Sequence, residues 1–600
     1  MSPNVLSRQG VYRAQMLPVL VAMAVLAPAG VVGVAGRDAA PVVAVAEGRV
    51  AGVTETSTKG REFHAYYGVP FARPPLGELR LKDPVKAESW EGVRDGTQMP
   101  SPCLLVPFGA AVMGITMTPE ELHGDEDCLY LNVFMPKRME PVERLPVMVW
   151  IHGGGFFAGG AYEYLPHVLM NHDIVLVVVQ YRLGIMGFLS TEDEVMPGNF
   201  GMKDQVMALR WVQDNIHNFG GDAARVTIFG ESAGGASVHL HMLSPKSRGL
   251  FSGVIMQSGT ALSPWAHREQ LRYVAEEVSK SVGCGEGLNS QEILTCLQQT
   301  DGRRLAATFQ DFLKWFVLPM VTTPRIDGDF LPDDPARLMR DGEFHHVNLM
   351  AGITRDDGAI VAQSLLLRED QLGALQENFS AIGPVSMMVG PEVPDPIEFS
   401  TRAYQHYLGD LTFDLERMED LTRLYTDYTF GIPHDLTTLY HARVPGIETY
   451  RYELMHRAEL SFGDFLETDK GRHWIPHADD LFYLFAGGPL LAPDHLAGRP
   501  SDLRSQDDLR LRDVVTTMWT NFAATGNPTP DDSLGFKWEA ATEDALRYLA
   551  LTPSPAMEAD QRQEVRNFHA SLPTKMNRIL HPERIVSGKK SSPRPSQDEL

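Results

Sequence analysis

Cysteine and positive charge are both scarce in this sequence. Its 600 residues include four cysteines, and 53 lysines and arginines stand against 77 aspartates and glutamates, for a formal net charge of −24. This excess of acid argues against a general nucleic-acid surface, which needs a basic patch. No C-x-x-C spacing occurs, which disfavours a zinc site. After residue 36, no apolar run is long enough to span a bilayer.

The amino terminus predicts entry into the secretory pathway. Arg8 and Arg13 precede an apolar stretch at residues 16–36, which is typical of a secretory signal peptide. An uncleaved membrane anchor is the alternative, although Pro18 and Pro28 interrupt the apolar run. We therefore expect a signal peptide at 1–36, a single domain at 37–586 and a flexible tail at 587–600.

The carboxyl terminus and one sequon indicate the same compartment. The chain ends in Gln-Asp-Glu-Leu at 597–600, one residue away from the KDEL retrieval signal. This predicts the lumen of the endoplasmic reticulum or secretion, with an accidental acidic tail as the alternative. Asn378 begins the only N-x-[ST] sequon, so we expect any N-glycan at Asn378.

The four cysteines, Cys103, Cys128, Cys284 and Cys296, predict disulfides because an even count follows a signal peptide. Four cysteines allow three pairings. The local pairing closes loops of about 25 and about 12 residues, each worth about 3 kcal/mol in the chain-entropy account. Free buried thiols are the alternative.

Recurring apolar runs predict an α/β fold. Continuous runs, rather than strict alternation, favour parallel strands that are covered on both faces. Residues 203–218 have a helical pattern, with Val206, Leu209 and Val212 or Ile216 on one face. Strands that alternate with helices indicate an α/β sheet. The predicted strands lie at 145–152, 174–182, 225–230, 253–259 and 347–354, with a further one at 448–454.

A serine between two glycines follows one of these predicted strands. The segment "RVTIFGESAGGASV" at 225–238 places Ser232 between Gly230 and Gly234. Glycines at these positions allow a sharp strand-to-helix turn that leaves the serine pointing outward. An ordinary turn of small residues is the alternative, so the interpretation depends on partners elsewhere in the chain.

Candidate partners occur in the expected places. The glycines at 153–155 follow a strand, and their backbone N–H groups can form an oxyanion pocket; a flexible loop is the alternative. Asp356 and Asp357 lie at the end of another strand, and His477 comes after them. The order serine, acid, histidine is that of α/β-hydrolases.

Several long motifs carry a resemblance to a known family. The sequence resembles the type-B carboxylesterases, which include the cholinesterases, over about residues 42–570. The serine motif is "FGGDAARVTIFGESAG" at 219–234, and a second motif is "EDCLYLNVFMP" at 126–136. Further matches are "YYGVPFARPPLGELRL" at 66–81, "GNFGMKDQ" at 198–205 and "MWTNFAATGNPTP" at 518–530.

The resemblance implies a catalytic machinery and a fold. It implies Ser232 as nucleophile, His477 as base and Asp357 as acid, where the family usually has Glu. The implied fold is an α/β-hydrolase with a mixed, mostly parallel sheet and the active site at the base of a gorge. Reaction with an ester requires no metal and no organic cofactor. The oxyanion donors implied are the N–H groups of Gly154, Gly155 and Ala233.

The same resemblance implies supporting positions. Glu231 and Ser258 match positions next to the triad, where a structural role is equally consistent, and Trp265 falls at an acyl-pocket position. The family's disulfides fall on Cys103–Cys128 and Cys284–Cys296. The implied partner is a small-molecule ester, without nucleic acid or a stable transmembrane span, and the implied assembly is a monomer or a homodimer.

The main prediction is a serine carboxylesterase of neutral esters. The loop 103–128 lacks the tryptophan that holds choline in the family's cholinesterases, and Phe108 is its only aromatic residue. A terpenoid-hormone esterase, such as a juvenile hormone esterase, is an alternative, although that subgroup often has Gln where this chain has Glu231. A lipase-like preference for longer acyl chains is another. A non-catalytic adhesion relative would lack part of the triad, whereas here serine, acid and histidine are all present.

Overall fold

The structure, a computed structural model, describes residues 40–137, 143–465, 469–491 and 501–586. The predicted signal peptide and the predicted tail, including its last four residues, lie outside these ranges. No helix within the ranges combines the length and the apolar character needed to cross a membrane.

A large mixed sheet forms the centre of the fold. In the described residues it has 11 strands in the order β14-β13-β12-β11-β10-β9-β7-β8-β6-β4-β3, and a smaller sheet has the order β1-β2-β5. The strands from β8 to β13 pair in parallel, whereas β3, β4, β6 and β14 pair antiparallel at the two sides. The strands are β1 Val42–Val45, β2 Gly48–Ala51, β3 Val53–Thr56, β4 Glu62–Pro70, β5 Val93–Asp95, β6 Tyr130–Pro136, β7 Leu145–Ile151, β8 Val175–Val179, β9 Gly221–Glu231, β10 Gly253–Gln257, β11 Asn348–Thr354, β12 Thr449–Leu454, β13 Tyr548–Leu551 and β14 Ala556–Glu558.

Helices cover both faces of this sheet. Their order along the chain alternates with the central strands, as expected for an α/β protein. In the described ranges the α-helices are Phe108–Met113, Gly184–Phe188, Phe200–Asn215, Ala233–Leu243, Arg272–Ser281, Ser290–Gln299, Gly302–Ala307, Pro335–Asp341, Ala359–Leu367, Glu369–Glu377, Phe379–Ser386, Pro396–Leu408, Met418–Tyr425, Ile432–Ala442, Leu481–Leu484, Gly488–Leu491, Gln506–Thr525, Gln563–Ala570, Lys575–Leu580 and Pro582–Val586, with a π-helix at Thr426–Gly431.

Strand β7 explains why the core has two halves. All seven of its residues are buried, and successive side chains point to opposite faces. Val147 and Val149 pack in one cluster with the helix Phe200–Asn215. Met148 and Trp150 pack in another with the helix Gln506–Thr525. A continuous apolar run is therefore what this position requires.

The predicted fold class is confirmed. Six predicted strands correspond to β7 to β12, with ends that differ by a few residues. The predicted helix at 203–218 is observed at Phe200–Asn215, followed by a 3₁₀ turn at Ile216–Phe219. Because β7, β9, β10 and β11 run parallel, their carboxyl ends meet at one edge of the sheet. The candidate site forms at this edge.

Candidate active site

The turn at Ser232 is sharp and tightly enclosed. Strand β9 ends at Glu231, Ser232 has φ 58° and ψ −122°, and a helix begins at Ala233. A Cβ atom on Gly234 would lie 2.0 Å from the Ile151 carbonyl oxygen, and one on Gly230 would lie 2.5 Å from it. Both positions therefore require glycine. Ser232 is partly exposed while its neighbours are buried, so this strained turn presents the hydroxyl outward.

The glycine loop after β7 lies beside this serine. A Cβ on Gly153 would come within 3.1 Å of the Ser232 Cβ. Gly154 and Gly155 have φ values of 102° and 60°, and their N–H groups have no acceptor among the described residues. Ala233 is the first residue of its helix, so its N–H lacks an intrahelical acceptor. Three backbone donors are thus free near Ser232.

Asp357 holds the histidine from a fully buried position. The His477 Nδ1–H donates to Asp357 Oδ1 at 2.8 Å. The other oxygen, Oδ2, accepts from the Ser258 hydroxyl at 2.8 Å and from the Thr354 N–H at 3.0 Å. Asp357 is 0% exposed. Its carboxylate is therefore fixed on both sides, and it fixes the imidazole in turn.

The neighbouring carboxylate points elsewhere. Asp356 accepts from the Ile475 N–H at 2.8 Å and pairs with the Arg355 guanidinium at 2.8 Å. The two acids lie in the turn after β11, and their different partners separate them. Only Asp357 of the two touches His477.

The second ring nitrogen of His477 faces a different carboxylate. Nε2 lies 3.0 Å from Glu231 Oε1. Within the described residues, no hydrogen bond joins His477 to the Ser232 hydroxyl. Burial by itself lowers the pKa of His477, but the carboxylates of Glu231 and Asp357 outweigh burial and raise the pKa to about 10. Both carboxylates therefore favour the protonated imidazole over the neutral one.

An aromatic wall that the sequence reasoning did not predict lies against His477. The Phe430 ring is 4.7 Å from the His477 ring, centroid to centroid, and 6.0 Å from the Trp265 ring. Trp265 Nε1 donates to the Thr429 carbonyl at 3.2 Å. Trp265, the residue at the implied acyl-pocket position, is therefore joined to the histidine through Phe430.

The π-helix Thr426–Gly431 carries Phe430 into the site. Gly358, directly after Asp357, donates its N–H to Thr426 Oγ1 at 2.9 Å. A Cβ on Gly358 would lie only 2.1 Å from the Thr426 nitrogen, so the turn and the π-helix pack backbone to backbone. π-Helices are frequent at functional sites. In the sequence, Gly358 directly after Asp357 is the only signal of the contact between this turn and the π-helix.

A cavity of about 400 Å³ lies next to this wall. Met320 is one of its lining residues, and the Met320 Cε would be 3.0 Å from a Cβ on Gly155. The cavity thus approaches both the aromatic wall and the glycine loop. Its lining combines apolar and aromatic residues, among them Trp265, Met320 and Tyr428, with charged residues, among them Arg268, Glu269, Asp334 and Lys575.

Both predicted disulfides are confirmed: Cys103 bonds to Cys128, and Cys284 bonds to Cys296. Within the first disulfide loop, Phe108 stacks on Phe157 with ring centroids 5.7 Å apart. Phe157 in turn stacks on Phe309 at 4.6 Å. Because a Cβ on Gly155 would lie 2.9 Å from the Phe157 ring, this aromatic stack flanks the glycine loop.

The remaining predicted position is the sequon at Asn378. Asn378 is exposed between the helices Glu369–Glu377 and Phe379–Ser386. The Ser380 hydroxyl lies 3.5 Å from Asn378 Oδ1. The sequon is therefore on the surface, where a glycan can be accommodated.

The arrangement is suited to nucleophilic acyl transfer. A hydroxyl on a strained turn, an imidazole fixed by a buried carboxylate and free backbone N–H groups are the parts that this chemistry requires. Across the ranges given above, no group of three or more histidine, cysteine or acidic side chains is placed to hold a metal ion.

Comparison with known proteins identifies close relatives. A sequence profile described as "Carboxylesterase family" matches residues 39–569. The chain is 36% identical to a juvenile hormone esterase of Tribolium castaneum, over 83% of this chain and 85% of that protein. It is 35% identical to a cocaine esterase of Oryctolagus cuniculus, over 86% and 93%. It is also 35% identical to liver carboxylesterase 1 of the same organism, over 82% and 86%.

Proposed function

The chain belongs to the carboxylesterase family and is a serine carboxylesterase, and we propose that Ser232, Asp357 and His477 form its catalytic triad. The observation that carries this proposal is the buried Asp357–His477 hydrogen bond of 2.8 Å beside the strained turn of Ser232. An isolated serine hydroxyl is a weak nucleophile, and a base held by a third group activates it.

In the first half of the reaction, the Ser232 oxygen attacks the ester carbonyl. For this step, His477 is in its neutral form, and its unprotonated Nε2 turns from the Glu231 carboxylate and accepts the Ser232 proton. The carbonyl oxygen becomes an oxyanion, which the N–H groups of Gly154, Gly155 and Ala233 stabilise. Asp357 keeps Nδ1 protonated and stabilises the imidazolium that forms.

The first half ends when this proton reaches the leaving alcohol. The His477 imidazolium protonates the leaving alcohol, which leaves the acyl group on Ser232. In the second half, a water gives a proton to His477 and attacks the acyl carbonyl, and His477 returns the proton to the Ser232 oxygen as its bond to the acyl carbon breaks and the acid departs. Throughout, Ser258 and Thr354 hold Asp357 through its other oxygen.

A burst experiment tests the proposed intermediate. With p-nitrophenyl acetate, the wild type is expected to release nitrophenol in a fast phase whose amplitude equals the enzyme concentration. Ser232→Ala is expected to show neither burst nor steady turnover, with an unchanged circular dichroism spectrum. A normal burst in Ser232→Ala contradicts the assignment.

We further propose that choline esters are poor substrates. A quaternary ammonium is bound best over a tryptophan face, and the loop 103–128 offers only the Phe108 ring, which is already stacked on Phe157. Trp474 does not replace it, because it is 1% exposed and donates to Glu419. We expect a lower kcat/KM for a choline ester than for its neutral isostere; a strong choline preference contradicts this proposal.

A second candidate is a more specialised esterase with a large acyl group. Two observations favour it: the 36% identity to a juvenile hormone esterase, and the cavity of about 400 Å³ next to Trp265. A panel of acetyl, long-chain and terpenoid esters, all with the same small alcohol, separates the candidates. A kcat/KM that rises with acyl size supports the specialised esterase, and one that falls supports a general short-chain esterase.

We also propose a secretory location. The basic and apolar start at 1–36 and the end at 597–600 support a signal peptide and lumenal retrieval of a single domain at 37–586, as a monomer or a homodimer. Deletion of residues 597–600 is expected to increase secretion; unchanged secretion indicates plain export. Asn378→Gln is expected to remove the N-glycan mass.

A further inference from the structure

Asp480 is a buried acid close to the triad that the reaction described above does not use. It is 3% exposed and lies three residues after His477. Its Oδ2 atom accepts from the Gln257 amide at 2.8 Å and from the Tyr452 hydroxyl at 3.1 Å. Its Oδ1 atom is buried and has no hydrogen-bond partner among the described residues.

Gln257 connects this acid to the nucleophile. The Gln257 carbonyl accepts from the Ser232 N–H at 2.8 Å. The Gln257 side-chain oxygen accepts from Trp519 Nε1 at 3.2 Å, and since an indole only donates, the amide nitrogen must face Asp480. One residue therefore bridges Asp480 and the backbone of the strained turn.

The charges around Asp480 are mostly negative. Glu231 from β9 and Asp357 from the turn after β11 both act on it, while Gln257 and Tyr452 face it from β10 and β12. Burial, followed by the Glu231 charge, raises the pKa of Asp480 to about 7. Glu231 and Asp357 are also the two partners of His477. Among the described residues, no lysine or arginine forms an ion pair with Asp480, so its ionised form adds a third negative charge to this buried region.

We propose that Asp480 is a positioning residue that holds Gln257 beneath the Ser232 turn, and that its ionised form adds a third negative charge to the two carboxylates that contact His477. The two donors on Oδ2 fix the position of the carboxylate, and Gln257 connects that position to the Ser232 backbone. When Asp480 is ionised, its charge adds to those of Glu231 and Asp357 and favours the imidazolium, and an imidazolium cannot accept the Ser232 proton.

Asp479 provides a matched control. It is also 3% exposed, and burial also raises its pKa well above the ordinary value. However, Asp479 Oδ1 accepts from the Phe462 N–H at 2.9 Å, and the groups that act on it are Ser461, Phe462, Arg457 and Asp464 rather than the carboxylates of the triad region. Asp479→Asn therefore removes a buried acid of the same kind without changing the charge near His477.

The test compares pH profiles of kcat/KM for the wild type, Asp480→Asn and Asp479→Asn, each normalised by active-site titration. Asparagine mimics the protonated acid and can still accept from Gln257 and Tyr452, so Asp480→Asn is expected to remain active near neutral pH. Its acidic limb is expected to move to lower pH by about one unit, because the ionised form that favours the imidazolium is gone. Asp479→Asn is expected to follow the wild type. A limb in Asp480→Asn that coincides with the wild type, or an equal shift in both variants, overturns the proposal.

Asp480→Leu tests the positioning role separately. Leucine leaves the Gln257 amide and the Tyr452 hydroxyl without an acceptor, so we expect kcat to fall about tenfold or more relative to Asp480→Asn, with KM little changed. Equal kcat in the two variants overturns the positioning role. This inference rests on the proposed triad, and the two proposals fail in different ways. If the wild type shows no burst, the triad assignment is wrong. If the wild type shows a normal burst but the pH profile of Asp480→Asn does not shift, only the role of Asp480 is contradicted.

Discussion

His477 Nε2 lies 3.0 Å from Glu231 Oε1, on the opposite side of the imidazole from its bond to Asp357. Glu231 is the residue directly before Ser232, so the base pairs with the neighbour of the nucleophile rather than with the nucleophile itself. Two carboxylates around one imidazole stabilise the imidazolium, which is the form needed late in the first half of the reaction. The same contact opposes the first proton transfer, because Nε2 must be neutral to accept it.

The first prediction concerns the charge of Glu231. A base is active above its pKa, and the Glu231 charge raises the pKa of His477. Glu231→Gln is therefore expected to move the acidic limb of kcat/KM to lower pH by about one unit or more, the usual size of a neighbouring charge effect. The measurement is a pH profile with one neutral ester. A limb that stays in place, or moves to higher pH, contradicts the role given to this contact.

The second prediction separates two adjacent acids. Asp357→Asn is expected to lower kcat by about 10⁴-fold, since the amide no longer holds the imidazole in the productive tautomer. Asp356→Asn is the matched control and should change kcat little, because Asp356 contacts the Ile475 N–H and Arg355 instead. A larger loss in Asp356→Asn would reverse the assignment.

Much of this architecture is predictable because it depends on local patterns. The sequence of β7 is a continuous apolar run because both faces of the strand are buried. The turn requires glycine at 230 and 234 because no side chain fits against the Ile151 carbonyl there. These two glycines therefore mark the turn in the sequence. The order of serine, acid and histidine then follows from the order of the strands that carry them.

The contacts that shape the chemistry were not predictable in the same way. Phe430 reaches His477 from a π-helix, 47 positions earlier in the chain, and no periodicity indicates that contact. Asp480 meets Gln257 across 223 residues. A pair of acids after the histidine was visible in "HADD", but only the fold shows which of them faces the triad. Whether His477 Nε2 faces Glu231 or Ser232 depends on side-chain positions to within about an ångström. The spacing of residues along the sequence does not determine positions that finely.

The third prediction concerns the aromatic wall. Trp265 is 8% exposed, contacts Phe430 and lines the adjacent cavity. Trp265→Ala is expected to increase kcat/KM for a branched or long acyl ester by about tenfold relative to an acetyl ester, because bulky acyl groups gain room and buried apolar contact. The comparison uses esters of one alcohol. An unchanged acyl preference in Trp265→Ala contradicts the assignment of this wall.

The central claim is that Ser232 is the nucleophile, and covalent labelling tests it most directly. The wild type is treated with a fluorophosphonate ester, digested and mapped by mass spectrometry. We expect one adduct, on the peptide that contains Ser232, formed in step with the loss of esterase activity. We expect Ser232→Ala to form no adduct and to lose about 10⁶-fold in kcat. An adduct on another residue that accounts for the lost activity, or near-normal turnover in Ser232→Ala, would contradict the account.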